Sequence, residues 1–124
     1  MSEKLIEWAD APTEDDLADA AKALTLVGVR DVTLDPEQVV YPVKDLLRFA
    51  DKPALPKGNE GVAKWDRRIN RGDEVPPVLL VRGDLLGKTT EARPLLIAEG
   101  YHRVSACYLR DERTLVAAHF LTVG

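Results

Sequence analysis

Pro94-Leu-Leu-Ile-Ala-Glu-Gly-Tyr-His-Arg-Val-Ser-Ala-Cys-Tyr-Leu-Arg110 is the stretch on which the fold turns. Leu95 to Ala98 is a short apolar run and reads as a buried strand. Glu99-Gly100 supplies a tight turn, because glycine reaches backbone angles closed to other residues. From Tyr101 the period becomes helical, with Tyr101, Val104 and Tyr108 on one side and Cys107 beside them. A strand, a glycine and a helix start form a device for anions. The first N–H groups of the helix lack intrahelical partners, and the helix dipole makes their end attractive to negative charge. Arg103 adds a planar fork of donors, and His102 adds one or two ring donors.

Working outward, Val75-Pro-Pro-Val-Leu-Leu-Val-Arg82 reads as a preceding strand, since proline is tolerated at a strand's entry. Gly83 to Arg93 is a polar, hairpin-like excursion between the two strands. Thr114 to Thr122 closes the chain as a last strand. Before Val75, the spacing predicts a helix over 62–71. Val62, Trp65 and Ile69 form its apolar face, and Lys64, Arg67, Arg68 and Arg71 form a basic stripe. Residues 51–61 are rich in Pro, Gly, Lys and Asn and read as a long loop. Val43 to Phe49 reads as a helical turn or two, after Tyr41-Pro42. Leu26 to Leu34 reads as the first strand, ended by Asp35-Pro36. Thr13-Glu-Asp-Asp16 has the shape of a capping box, followed by a helical face of Leu17, Ala20, Ala21 and Leu24. Ser2 is expected to cap a short helix through Asp10.

The chain has 124 residues, 45% of them apolar, which suits one modest core. The net charge of −4 is uneven. Residues 1–20 carry seven carboxylates and one Lys, and the remainder carries sixteen Lys/Arg against fourteen Asp/Glu. The expected organisation is an acidic helical extension over 1–26 and a domain over 27–124. A near-neutral body speaks against a long nucleic-acid track. Cys107 is the only cysteine, so no internal disulfide forms. With no basic-then-apolar leader at Met1, a cytoplasmic location is expected. The two histidines and one cysteine have no zinc spacing, and His119 reads as structural. The common nucleotide fingerprints and the Gly-x-Ser-x-Gly elbow are absent.

The order Val75-Pro-Pro plus strand, excursion, strand, Gly100-Tyr-His-Arg103 plus helix, and closing strand resembles the ParB/sulfiredoxin superfamily, over roughly residues 27–122. Sulfiredoxins carry Gly-Cys-His-Arg here, ParB proteins Gly-Glu-Arg-Arg, and related free-serine kinases a Gly-His-His-Arg-like element. The resemblance implies a compact α+β domain, with a small mixed sheet and packed helices. It also implies a nucleotide site, with ATP or CTP and Mg²⁺, whose phosphates meet Gly100, Tyr101, His102 and Arg103. Lys64 and Arg68 fall in the region that supplies further contacts.

Glu99 is the one candidate base for a nucleotide hydrolase or phosphotransferase. Sulfiredoxin activity is not expected, because Tyr101 stands where the nucleophilic cysteine would be, and a phenol with a pKa of about 10 does not replace a thiolate. No helix-turn-helix segment follows, so DNA is not the expected partner, and a nuclease ranks below the other readings. The alternative is a non-catalytic protein-interaction module, such as a phage or mobile-element accessory protein. On this reading Arg103→Ala removes anion binding and leaves the fold intact.

Overall fold

The computed structural model describes residues 6–83 and 94–123. Its elements run α1 (Glu14–Thr25), β1 (Val32–Pro42), α2 (Val43–Ala50), α3 (Glu60–Asn70), β2 (Val78–Arg82), β3 (Leu95–Glu99), α4 (Tyr101–Arg110) and β4 (Leu115–Val123). The strands make one mixed sheet in the order β1-β4-β2-β3. β4 runs antiparallel to β1 and parallel to β2, and β3 runs antiparallel to β2. The protein is thus a compact α+β domain.

The central strand explains the layering. Val78-Leu79-Leu80-Val81 is apolar at every position, the mark of a strand covered on both faces. Val78 and Leu80 enter one cluster, with Val43, Leu46, Val62, Ile69, Val104 and Val116 from α2, α3, α4 and β4. Leu79 and Val81 point the other way, into a second cluster with Ala20 and Leu24 of α1 and Leu121 of β4. The acidic helix α1 is therefore the layer on the sheet's second face. Thr13 caps it, its Oγ accepting from the Asp16 N–H at 3.1 Å.

Three expectations need correction. Residues 6–10 are not helical; residues 1–5 of the expected Ser2–Asp10 helix lie outside the described residues. Trp8 instead bridges Val75 in parallel, with Val75 N–H donating to Glu7 O at 2.7 Å and Ala9 N–H donating to Val75 O at 2.9 Å. Pairing there lets Ile6 and Trp8 pack on the first cluster, which a helix of that length would not stabilise alone. Pairing with Trp8 also uses Val75 outside β2, so the strand begins at Val78 rather than Val75.

The first strand begins at Val32, because α1 continues to Thr25 and a turn through Gly28, at φ 90°, occupies the interval. Nor does Asp35-Pro36 end it. The register with β4 jumps between Leu34 and Gln38, and Asp35 Oδ1 accepts from Glu37 N–H at 2.9 Å. β1 is an edge strand, where a proline leaves no internal ladder bond unmade. His119 on β4 fixes this irregular stretch. Its buried ring contacts Asp35 O at 2.9 Å and Asp10 O at 3.2 Å, tying β1 to the N-terminal segment. Most of the Gly83–Arg93 excursion lies outside the described residues.

Candidate functional site

The turn at Gly100 has the geometry expected from its residue type. Its φ is 108°, a left-handed conformation. A Cβ at this position would lie 2.6 Å from Val78 Cγ1, so β2 also requires a glycine. Glu99 turns back and accepts from the Gly100 N–H. No side chain caps α4 among the described residues, and its first turn holds no acid.

Helices α3 and α4 lie side by side and start together. The His102 ring rests on Gly61, where a Cβ would come within 2.4 Å of it. At the other end Arg110 donates to Asn70 Oδ1 and lies 3.6 Å from Asp66. The two helices therefore run parallel, and their positive ends adjoin. Asn59 caps α3, accepting from the N–H groups of Gly61 and Val62.

Arg103 follows a different course from His102. The imidazole is exposed, whereas Arg103 is 2% exposed and is the largest fully buried side chain among the described residues. Its Nη1 donates to Pro76 O at 2.8 Å and lies 3.1 Å from Asp16 Oδ2. Its Nη2 lies 3.8 Å from Glu99 Oε1. The guanidinium also sits 5.0 Å from the Trp65 ring centre, and Arg68 sits 4.5 Å from the same ring. Two guanidiniums thus gather on one indole, a cation–π arrangement. Burial lowers the pKa of Arg103, opposed by Asp16 and Glu99, and Arg68 adds to the lowering. It remains a cation, as arginine does in proteins. The expectation that Arg103→Ala spares the fold is accordingly withdrawn, since the side chain joins α1, α4 and the strand entry at Pro76.

Of the other residues singled out from sequence, Lys64 is exposed on α3. Arg68 Nε is 3.9 Å from Asp73 Oδ2. Tyr101 donates its hydroxyl to Pro53 O, and Lys52 lies 4.8 Å from its ring centre, so the phenol seats the 51–59 loop on α4. Cys107 is buried, which pushes its thiol up to about 12, against the pull of Arg110 and Arg103. It is an inert core residue.

Asp16 and Asp19 were not singled out from sequence, yet they complete the corner. With Glu99 they bring three carboxylates whose oxygens lie within 4.8 Å of one another. The signal was the residue at the capping-box position: Asp16 is too short a substitute for the usual Glu or Gln, and it turns to Arg103. Three oxygen donors are the kind that Mg²⁺ takes. Two of them already lie against Arg103, so the set fits a guanidinium and not an added ion in this conformation.

Glu99 shows the effect of crowding. Burial raises its pKa above the usual carboxylate value, Arg103 opposes this, and Asp16 and Asp19 push it higher. A raised carboxyl favours the acid form when folded. Its contribution to stability is therefore full below the unfolded pKa and is lost as pH rises through the folded one. Glu99→Gln is expected to unfold at a higher temperature than the parent at pH 7, and the gap should close toward pH 4. A variant less stable at pH 7 would contradict the assigned direction.

Comparisons with protein-family models, curated proteins and solved structures return no match. No helix among the described residues is long and apolar enough to cross a membrane.

Proposed function

We propose that the α4 start is a binding corner for the phosphates of a nucleotide, ATP or CTP by the resemblance of Gly100-Tyr-His-Arg103 to the ParB/sulfiredoxin element. The observation that carries this is the pair of adjoining helix starts, where the His102 ring of α4 rests on Gly61 of α3 and Arg103 follows in the first turn. A cation in the first turn of a helix is electrostatically misplaced unless anions join it. Here Asp16 and Glu99 are those anions. Those carboxylates hold the guanidinium, and the parallel starts of α3 and α4 set two positive helix ends side by side next to it. His102 and the N–H groups of Tyr101 and His102 would meet the phosphate from the solvent side, with Lys64 and Arg68 contributing from α3. Glu99 would be the base in any hydrolysis or transfer. Its pairing with Arg103 fits anchoring the cation at least as well.

Thermal unfolding with ATP, CTP, GTP and inorganic tripolyphosphate, each with and without Mg²⁺, tests the reading. A ligand at one hundred times its Kd stabilises by about 2.7 kcal/mol. For a chain of this size that is an upward shift of roughly 8–16 °C. No shift with any of the four at millimolar concentration would end the proposal. A protein-interaction module is the second reading. Val40 and Leu115 favour it, being 55% and 57% exposed at neighbouring positions of β1 and β4. Such a module would leave all four ligands without effect.

A further inference from the structure

We infer that α1 is a built-in competitor for the phosphate corner, with the Asp16 carboxylate occupying the place on Arg103 that a phosphate oxygen would take. The inference rests on the phosphate reading of that corner and adds its regulation. Asp16 Oδ2 lies 3.1 Å from Arg103 Nη1, the distance of an ion pair. Arg103 Nε is buried and has no hydrogen-bond partner among the described residues, so the guanidinium's fork is only partly filled there. A carboxylate fills part of what a phosphate, with three acceptor oxygens, would fill more fully.

Helix α1 is also lightly seated. Of its twelve residues only Ala20 and Leu24 are buried. It leads into a turn whose Leu26 and Val27 are exposed. Its carboxylates crowd Glu99, so repulsion within the triad opposes the Arg103 attraction. Asp16 prevails because it is tethered, and a tethered group acts at a high effective concentration. A polyphosphate that displaces it leaves α1 held by the contacts of Ala20 and Leu24, without its ion pair to α4. The helix then lifts from the sheet's second face, uncovering Leu79, Val81 and Leu121, and Arg103 opens to solvent. The affinity seen for the closed protein is the intrinsic affinity reduced by the fraction open.

Tripolyphosphate binding to the full chain, measured by calorimetry, decides the matter when combined with amide hydrogen exchange of α1. Asp16→Asn is expected to bind roughly tenfold more tightly than the parent, because the closed state no longer competes. Asp15→Asn removes the same charge from an exposed position of α1 outside the carboxylate triad, and should stay within about twofold of the parent. In the parent protein, saturating tripolyphosphate should speed exchange across Glu14–Thr25. Equal affinities for parent and Asp16→Asn, with α1 exchange unchanged or slower on binding, would overturn the competitor role while leaving the phosphate corner standing. If Asp16→Asn does not fold, the exchange result on the parent protein alone decides. No binding by any of the three proteins would overturn the phosphate reading and the competitor with it.

Discussion

Arg103→Leu is expected to lower the unfolding free energy by about 3–4 kcal/mol, the scale for breaking a buried ion pair from one side. Three losses combine. Pro76 O loses the Nη1 donor at 2.8 Å. The cluster of Asp16, Asp19 and Glu99 loses the cation that pairs with Asp16 and Glu99, while its oxygens stay within 4.8 Å of one another. The guanidinium that sits 5.0 Å from the Trp65 ring centre is lost, and with it the cation–π contact. The figure is kept at the lower part of the range, because Asp16 and Glu99 retain 18% and 30% side-chain exposure, and water shares the burden. A share of about 3 kcal/mol is large for a domain whose total is about 5–15 kcal/mol. Urea unfolding at pH 7 measures it. Adding Asp16→Leu to Arg103→Leu should recover part of the loss, since residues in one ion-pair network do not add. A single-variant cost below about 1 kcal/mol would show that Arg103 does not hold the layers together.

Gly100→Ala is the second large effect, at about 3 kcal/mol. The backbone at φ 108° already costs an L-residue about 1–2 kcal/mol. The new Cβ would then stand 2.6 Å from Val78 Cγ1 and 2.9 Å from Val78 Cβ. Val78 is fully buried in β2, and a valine has little rotamer freedom with which to yield. Overpacking of this kind adds about 1–3 kcal/mol. Gly28→Ala is the matched control: its φ is 90° with nothing among the described residues within 4 Å of the added carbon, so the backbone term applies without a clash. The difference between the two variants in urea unfolding isolates the clash. Equal losses would mean that the turn, and not the contact with β2, is what requires glycine at position 100.

Much of this architecture was legible where the signal is local. The apolar run from Leu95, the glycine and the helical spacing from Tyr101 are neighbours in sequence, and β3, the turn and α4 follow them closely. Val62, Trp65 and Ile69 likewise mark α3, and all three pack on the first cluster. The failures came where a distant partner outweighs local preference. Residues 6–10 have helical spacing, yet Val75 pairs with Trp8 in extended form. Asp35-Pro36 looks like a stop, yet an edge strand absorbs it as an irregularity.

The candidate site divides the same way. Gly100 and its left-handed turn could be read from the strand-to-helix change. The burial of Arg103 could not, because what buries it comes from α1 and from Pro76-Pro77. A guanidinium in a sequence announces its charge but not its surroundings, and Asp16 looks like one more acid in an acidic helix start.

The most direct test of the central claim, that the α4 start is an anion-binding corner, is a titration of tripolyphosphate into ¹⁵N-labelled protein followed by amide chemical shifts. The account predicts that Gly100, Tyr101, His102 and Arg103 shift first and saturate together, with Asp16 and its neighbours in α1 following the same binding curve. Shifts confined to exposed lysines elsewhere, or amides at 100–103 unmoved at millimolar ligand, would contradict it.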